Sequence, residues 1–428
     1  MTNKIKPFKA LIYNQEKVKD VSAVVCPPYD IISPERQEYY HRRDAHNFIH
    51  ILLNKDTAGT DKYSAAGNLF SQWQESRIFT QDPNPAIYFY SQQYNLQGEK
   101  KTRYGFMALL RLSDSREGGI FAHENTRMAA KEDRLKLIRQ VKANLSPIFV
   151  VFPDEKRIIP RITDKYIKGA VPFIDITDDE QTAHKVWRLD SPEIINAVQE
   201  SLANENIFIA DGHHRYEVAC AYRQELRQKL GHLTGKEDCN YIMAYFTNAE
   251  SRGLTILPIH RLVRLEGKRD INDITSGLKE NFVVEEVRDK EKFFFLLKKG
   301  GEREHLLGMY KDRKYWFLRL KNVKILDKMI TDKPRDYRML DVSMLNYLVL
   351  NKVLGLGVED KESISYNPCA EELIKQVNAD AGLIAFFLNP VKVGQIMAVA
   401  LEGEKMPPKS TYFYPKVLSG LVINKLEG

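Results

Sequence analysis

The chain has 428 residues, 43% of them hydrophobic and 28% charged, with a formal net charge of +7. This length predicts two or three domains with ordinary cores, and a mild positive charge that is not gathered into one block gives no argument for nucleic acid. Cys26, Cys220, Cys239 and Cys369 form no CxxC pair, the N-terminus has no signal-peptide core, and apolar runs such as FFFLL (293–297) are too short to span a bilayer, so a reduced, cytoplasmic protein without a membrane partner is expected.

In chain order, FKALIYN (8–14) and SAVVCPPYDII (22–32) read as short strands. PERQEYYHRR follows as a helix, with Ser33 as N-cap and Pro34 in its first turn. Residues 61–78 form an amphipathic helix; AIYFYSQQYNL and TRYGFMALLRL, separated by a polar turn with Gly98, form an antiparallel hairpin. A helix over 127–143 and the strand IFVVF after Pro147 come next. The polar stretch 152–190 reads as an insertion, and SPEIINAVQESLANEN as a helix with Ser191 as N-cap. Beyond 240, strands and helices alternate; LDVSMLNYLVLNKVLGLG is a helix ended by glycine, and GLIAFFLNP, VKVGQIMAVALEG and the tail SGLVINKLEG read as strand, helix and last strand. The whole is a mixed α/β protein, divided as 1–115, 116–265 and 266–428.

The chemistry concentrates in NENIFIADGHHRYEVACAYRQEL (204–226). An apolar strand runs to Ala210, and apolar residues recur every three or four positions from Val218 onward. Asp211 to His214 therefore make a tight strand-to-helix turn, with Gly212 supplying a backbone other residues resist. The opening amides of a helix have no partner within it and, with the helix dipole, favour an anion. His213, His214 and Arg215 add donors suited to phosphate. Asp211 suits a magnesium ion or a hydroxyl group better than a phosphate. The plain alternative is a helix capped by Asp211 with its histidines in solvent. Adjacent histidines without a third ligand make a poor zinc site, and no P-loop is present.

Two other stretches carry polar residues in chemical settings. AHENT (122–126) places His123 beside Glu124 before a helix, and EKMPPKSTYFYPK (404–416) sets two prolines before Lys409, Ser410 and Thr411. Capping by Asn125 or Thr126, and a loop covering a sheet edge, are their plain readings. Pro27, Pro28, Tyr29 and Asp30 end their stretch and are candidates to line a pocket; His260 and Arg261 are candidates to reach the site, with a structural histidine preferred, and Trp73, Trp187 and Trp316 are read as core.

CPPYD (26–30), HENT (123–126), the K-x-D-R and SPIF segments, ADGHHRYE (210–217), LPIHRLV (257–263) and MPPKSTYFYPKVLSGLV (406–422) together look like the bacterial and archaeal domain-of-unknown-function family 1015, nearly end to end. More distantly, the turn resembles the phosphate-binding turn of the ParB/sulfiredoxin fold, and within it the free L-serine kinases. Those enzymes have a His-Glu pair before a helix, a strand ending in D-G-H-H-R, and a C-terminal G-E-x-x-x-P-K-[ST]-T segment. Here these are His123–Glu124, Asp211 to Arg215, and Gly403–Glu404 with Pro408 to Thr411. The resemblance implies a ParB/sulfiredoxin-like nucleotide-binding core with additional α/β regions. It implies Glu124 as catalytic carboxylate beside His123 and Asp211, and Gly212, His213, His214 and Arg215 on the nucleotide phosphates. Lys409, Ser410, Thr411 and Asp30 would contact substrate, with ATP or ADP as donor and Mg²⁺ on Asp211. The spacing from Glu124 to Asp211 is longer than in those kinases, and Phe413 stands where they have histidine.

The expectation is a kinase for the hydroxyl of a small hydroxy amino acid, free L-serine first, without nucleic acid as partner; an oligomer is left open. The alternative is a ParB-like nucleotide-binding regulatory or DNA-binding protein without turnover. A sulfiredoxin-like reductase needs a cysteine in the turn, where His213 stands.

Overall fold

The computed structural model describes residues 4–56, 59–113, 118–265, 267, 270–357, 360 and 362–426. The chain divides into two compact units. The first comprises Met1–Ala122, Thr126–Thr255 and Pro415–Gly428, the second His123–Asn125 and Ile256–Tyr414.

Among the described residues of the first unit, nine strands form one sheet. In chain order they are β1 (Ile5–Lys6), β2 (Ile87–Leu96), β3 (Glu99–Arg111), β4 (Ile120–Ala122), β5 (Ile148–Phe152), β6 (Ile174–Thr177), β7 (Ala183–Leu189), β8 (Ile207–Asp211) and β9 (Tyr241–Asn248). Their spatial order is β4-β8-β5-β9-β3-β2-β7-β6, with β1 also on β3. The β2–β3 hairpin closes through Gln97 and Gly98, both at positive φ (53° and 83°), the backbone that a two-residue hairpin turn requires. Successive side chains alternate between the faces. Phe89, Phe106, Val150 and Phe246 fill one apolar core, while Tyr88, Tyr90 and Tyr245, one position along, are also fully buried. Both faces are therefore covered.

The longer helices of this unit include α1 (Pro34–Arg43), α2 (Lys62–Glu75), α3 (Met128–Val141), α4 (Pro192–Leu202) and α5 (His213–Leu230). Ser33 caps α1 by accepting from the Arg36 amide, whereas Ser191 makes no side-chain cap for α4. Ile194, Val198 and Leu202 bury the apolar stripe of α4 in the core, joined by Ala219 of α5. Ile138 of α3 packs with Val218 and Tyr222 of α5.

Two expectations are corrected. The stretch 22–32 is not a strand: Asp20 accepts from the Ser22 amide and caps a short helix, Val21–Val24, and Tyr29–Ile31 form a 3₁₀ turn. The stretch 152–190 is not a bare insertion, because it supplies β6 and β7, and β7 pairs with β2 along its whole length. Trp73, Trp187 and Trp316 are buried, as read.

The second unit is built on a six-stranded sheet. Its strands are β10 (His260–Arg264), β11 (Phe282–Val287), β12 (Leu306–Lys311), β13 (Lys314–Leu320), β14 (Ile364–Asn367) and β15 (Leu383–Phe387), in the order β11-β13-β12-β15-β10-β14. Every described pairing is antiparallel. Its helices include α6 (Ile271–Leu278), α7 (Lys290–Gly300), α8 (Ala370–Ala379) and α9 (Val393–Leu401). Phe293 and Leu297 of α7, with Leu373 and Val377 of α8, fill the core on one face of the sheet. The helix expected over 340–357 begins as an α-helix at Asp341–Met344 and winds as a π-helix over Leu345–Asn351, and Gly355 follows at φ 73°.

The main sheet thus takes β1 to β3 from the expected 1–115 region and β4 to β9 from 116–265. The C-terminal tail rejoins the first unit, where Asn424–Lys425 pair with Ala143–Asn144. No helix among the described residues is long and apolar enough to cross a membrane.

Candidate functional site

β8 is buried up to Ala210, and Asp211 closes it opposite Phe149 after a register shift. Gly212 then takes φ 89°, and α5 starts at His213 with no side-chain cap. The backbone therefore favours glycine, and a Cβ on Gly212 would lie 3.0 Å from the Arg215 guanidinium, which would have to give way by a few tenths of an ångström. The strand–turn–helix expected from the sequence is present, and the N-terminus of an 18-residue helix opens beside Asp211.

Asp211 is held by two cations. Its Oδ2 accepts from Arg215 at 3.0 Å and its Oδ1 from Lys416 Nζ at 3.2 Å. Burial pushes its carboxyl up, but Lys416 and Arg215 outweigh burial and hold it down at about 2. Arg215 also donates to the Pro147 carbonyl, and its Nε is buried without a hydrogen-bond partner among the described residues. The side chains of Asp211, Arg215 and Lys416 are only 18%, 11% and 11% exposed.

The two histidines of the turn sit in different settings. His213 is buried. His214 Nε2 accepts from the Arg127 amide at 2.9 Å, which makes it the neutral tautomer with its proton on Nδ1. Burial lowers the His214 pKa, against the field of Asp30 and Glu217. Two more contacts tie this end of α3 to α5: Thr126 donates to Glu217, as does Lys131 at 2.9 Å.

Asp30 is exposed but within electrostatic reach of His214. Its neighbour Tyr29 has its hydroxyl pushed up to about 12, by burial first and then by Asp30. The Arg134 guanidinium lies 4.5 Å from the Tyr29 ring centroid and donates to the Leu52 carbonyl. Tyr29, Arg134, Ser146 and Arg215 line one small cavity of about 60 Å³. The CPPYD, K-x-D-R, SPIF and DGHHR stretches thus meet in this unit. A second concavity, about 820 Å³ and lined by Lys4, Arg111, Arg223 and Arg227, contains none of Asp211 to Arg215.

β4 runs parallel to β8 with Ala122 opposite Ile209. The chain continues from Ala122 into His123 and Glu124, as it continues from Ile209 into Ala210 and Asp211.

In the second unit, the His123 carbonyl accepts from the Met406 amide at 2.8 Å, and His123 Nε2 lies 3.3 Å from Thr411 Oγ1. His123 is buried and Glu124 half-buried. Lys409 adopts φ 56°, and Ser410 donates to the Pro407 carbonyl. A buried arginine shapes this loop: Arg261 donates to the carbonyls of Pro408 (3.4 Å) and Lys409 (3.1 Å), with its guanidinium 5.1 Å from the Tyr366 ring centroid. Burial lowers its pKa to about 10. His260 is structural: it accepts from the Leu388 amide at 3.2 Å, and burial, then Arg261, hold its pKa down at about 3. The structure therefore brings Asp30 and Asp211 to Arg215 together in one unit, and His123 and Glu124 with Lys409, Ser410 and Thr411 in the other.

Sequence reasoning missed Lys416, although it closes the quoted stretch 404–416. It also missed Arg103, Gln92 and the loop-holding part of Arg261, which show in sequence only as polar residues inside strands.

Among solved structures, the chain is similar to a conserved hypothetical protein from Pyrococcus furiosus, at 13% identity and TM-score 0.32, covering 70% of this chain and 89% of that one. It is similar to a free serine kinase variant in complex with ADP, at 15% identity and TM-score 0.32, covering 69% and 84%. It is also similar to C-terminally truncated SbnI from Staphylococcus aureus, at 13% identity and TM-score 0.36, covering 73% and 85%. No curated protein matches the chain. The family model described as "Protein of unknown function (DUF1015)" matches residues 5–343, well over half of the sequence, and the chain belongs to that family.

Proposed function

We propose that this protein binds ATP or ADP by its phosphates at the turn Asp211 to Arg215 and transfers a phosphoryl group to the hydroxyl of a small hydroxy amino acid, free L-serine first. The observation that carries this reading is the turn itself. A buried strand ends in a glycine at φ 89°, an uncapped 18-residue helix follows, and two cations stand on the one carboxylate. Helix amides and fixed cations are what phosphoryl transfer asks of a protein, since its work is positioning and charge neutralisation.

In the reaction the substrate oxygen attacks the terminal phosphorus and the bridging P–O bond of the nucleotide breaks. Glu124 takes the hydroxyl proton, help worth roughly 10²–10⁴-fold. Lys409 neutralises the substrate carboxylate, with Ser410, Thr411 and Asp30 as further contacts. Gly212 lets the backbone approach the phosphates, which Arg215 and the histidine amides hold.

Among the described residues no cluster of three or more His, Cys, Asp or Glu could cage a metal. Asp211 would have to release a cation to bind one directly. Mg²⁺ fits as the counter-ion carried by the nucleotide, with Asp211 as the anchor of Arg215 and Lys416.

The test is incubation of the purified full chain with ATP or ADP, Mg²⁺ and a panel of hydroxy amino acids, followed by phosphorus NMR. A new phosphomonoester resonance with one of them supports the kinase. Nucleotide binding without any new resonance makes the protein a nucleotide sensor instead.

A further inference from the structure

Lys416 reaches Asp211 from the last segment of the chain, and that segment is pinned at several points. The backbones of Cys26 and Ser419 exchange hydrogen bonds (3.3 and 2.8 Å), and the Ser146 and Ser419 hydroxyls lie 2.6 Å apart. Nearer the lysine, the Lys416 carbonyl accepts from Gln92 Nε2 at 2.8 Å. The Pro415 carbonyl accepts from Arg103 at 2.5 Å, and Arg103 also donates to Gln92 Oε1. Arg103 and Gln92 are both 0% exposed.

A guanidinium taken fully out of water is costly unless its donors are used and its charge is met. Here the Arg103 guanidinium also lies 4.6 Å from the Phe149 ring centroid, and Phe149 is the strand partner of Asp211. The arrangement pins the carbonyls on both sides of the Lys416 Cα. The lysine side chain, ordinarily mobile, is thereby stationed before any ligand arrives, and less freedom remains to be lost on binding. Asp211, Arg215 and Lys416 together carry one net positive charge, so two cations outnumber the carboxylate that would repel a phosphate.

We propose that Lys416 is a further phosphate-binding residue of the turn Asp211 to Arg215, with Arg103 and Gln92 as the positioning residues that hold it there. This rests on the nucleotide reading above. A lysine that only pairs with Asp211 would instead support folding and leave phosphate recognition untouched.

The experiment is calorimetric titration of the full chain and its Lys416→Met, Lys416→Arg and Gln92→Leu variants with ADP, inorganic pyrophosphate and adenosine. Lys416→Met is expected to weaken ADP and pyrophosphate by roughly ten- to a hundredfold, the loss of one charge-assisted contact, with adenosine unchanged. Lys416→Arg is expected to restore much of the phosphate affinity. Gln92→Leu is expected to weaken both phosphates less, in the same direction. Where Lys416→Met fails to fold, wild-type protein with ¹³C-methylated lysines is titrated with pyrophosphate instead. The Lys416 resonance, assigned by its loss in Lys416→Arg, is expected to shift. Unchanged ADP affinity in Lys416→Met, equal losses for ADP and adenosine, or an unmoved Lys416 resonance on binding overturns the proposal and leaves the nucleotide reading standing. A wild-type chain that binds neither ADP nor pyrophosphate overturns both. Tight phosphate binding through Lys416 without phosphoryl transfer supports the proposal and removes only the kinase.

Discussion

Lys416 stands 3.2 Å from Asp211 across 205 residues of sequence. That contact closes an ion cluster at the mouth of α5, in which one carboxylate holds two cations in place. Asp211→Asn is expected to cost about 3–5 kcal/mol, because removing one partner of a largely buried pair strands the others; chemical denaturation of the two proteins measures it.

The same carboxyl gives a pH signature. Its pKa is about 2 in the folded chain against an ordinary 3.8. The folded state therefore binds fewer protons than the unfolded one between those values. The contribution, about 2 kcal/mol, is fully present above pH 3.8 and is lost as pH falls through 2. Denaturation midpoints of wild type and Asp211→Asn should converge across that window.

Gly212→Ala places a Cβ at φ 89° and 3.0 Å from the Arg215 guanidinium. The left-handed backbone costs about 1–2 kcal/mol, and the displaced Arg215 weakens its hold on Asp211. Lower stability together with weaker ADP affinity is expected, by denaturation and calorimetry. Full ADP affinity would show that Arg215 does not serve the phosphates.

His260 predicts a separate acid sensitivity. Its pKa is lowered from 6.5 to about 3 by burial and by Arg261. The unfolded chain thus takes up a proton that the folded one refuses, and stability falls as pH drops from 6.5 towards 3, by on the order of 5 kcal/mol. His260→Gln, which can keep an acceptor for the Leu388 amide, should flatten that slope in pH-dependent denaturation.

Arg261→Met removes the donors that hold the Pro408 and Lys409 carbonyls. The loop should loosen, and the Met406 amide, which donates to His123, should exchange its hydrogen faster by mass spectrometry. On the kinase reading, KM for the acceptor rises while ADP affinity holds.

How much of this was legible depends on range. The turn at 211–215 was readable because an apolar strand, one glycine and a helical period are neighbours in sequence. The β2–β3 hairpin was readable from alternation around Gly98. The stretch 22–32 misled because Val24, Val25 and Cys26 look like strand residues, while Asp20 capping Ser22 decides for a helix. The polar surface of 152–190 hid β7, in which half-buried Lys185 and exposed Arg188 interrupt the buried residues His184, Val186, Trp187 and Leu189. Lys416 could not be assigned from its neighbours, since its place is set by Gln92 and Arg103, more than 300 residues away.

The most direct test of the central claim is phosphorus NMR of wild type and Glu124→Gln with ATP or ADP, Mg²⁺ and L-serine, beside calorimetric titration of both with ADP. An O-phosphoserine resonance is expected from wild type, with a rate lower by roughly 10²–10⁴-fold in the variant and equal ADP affinity in the two. Unchanged turnover in Glu124→Gln, or no phosphoserine from a wild-type chain that binds ADP, would contradict it.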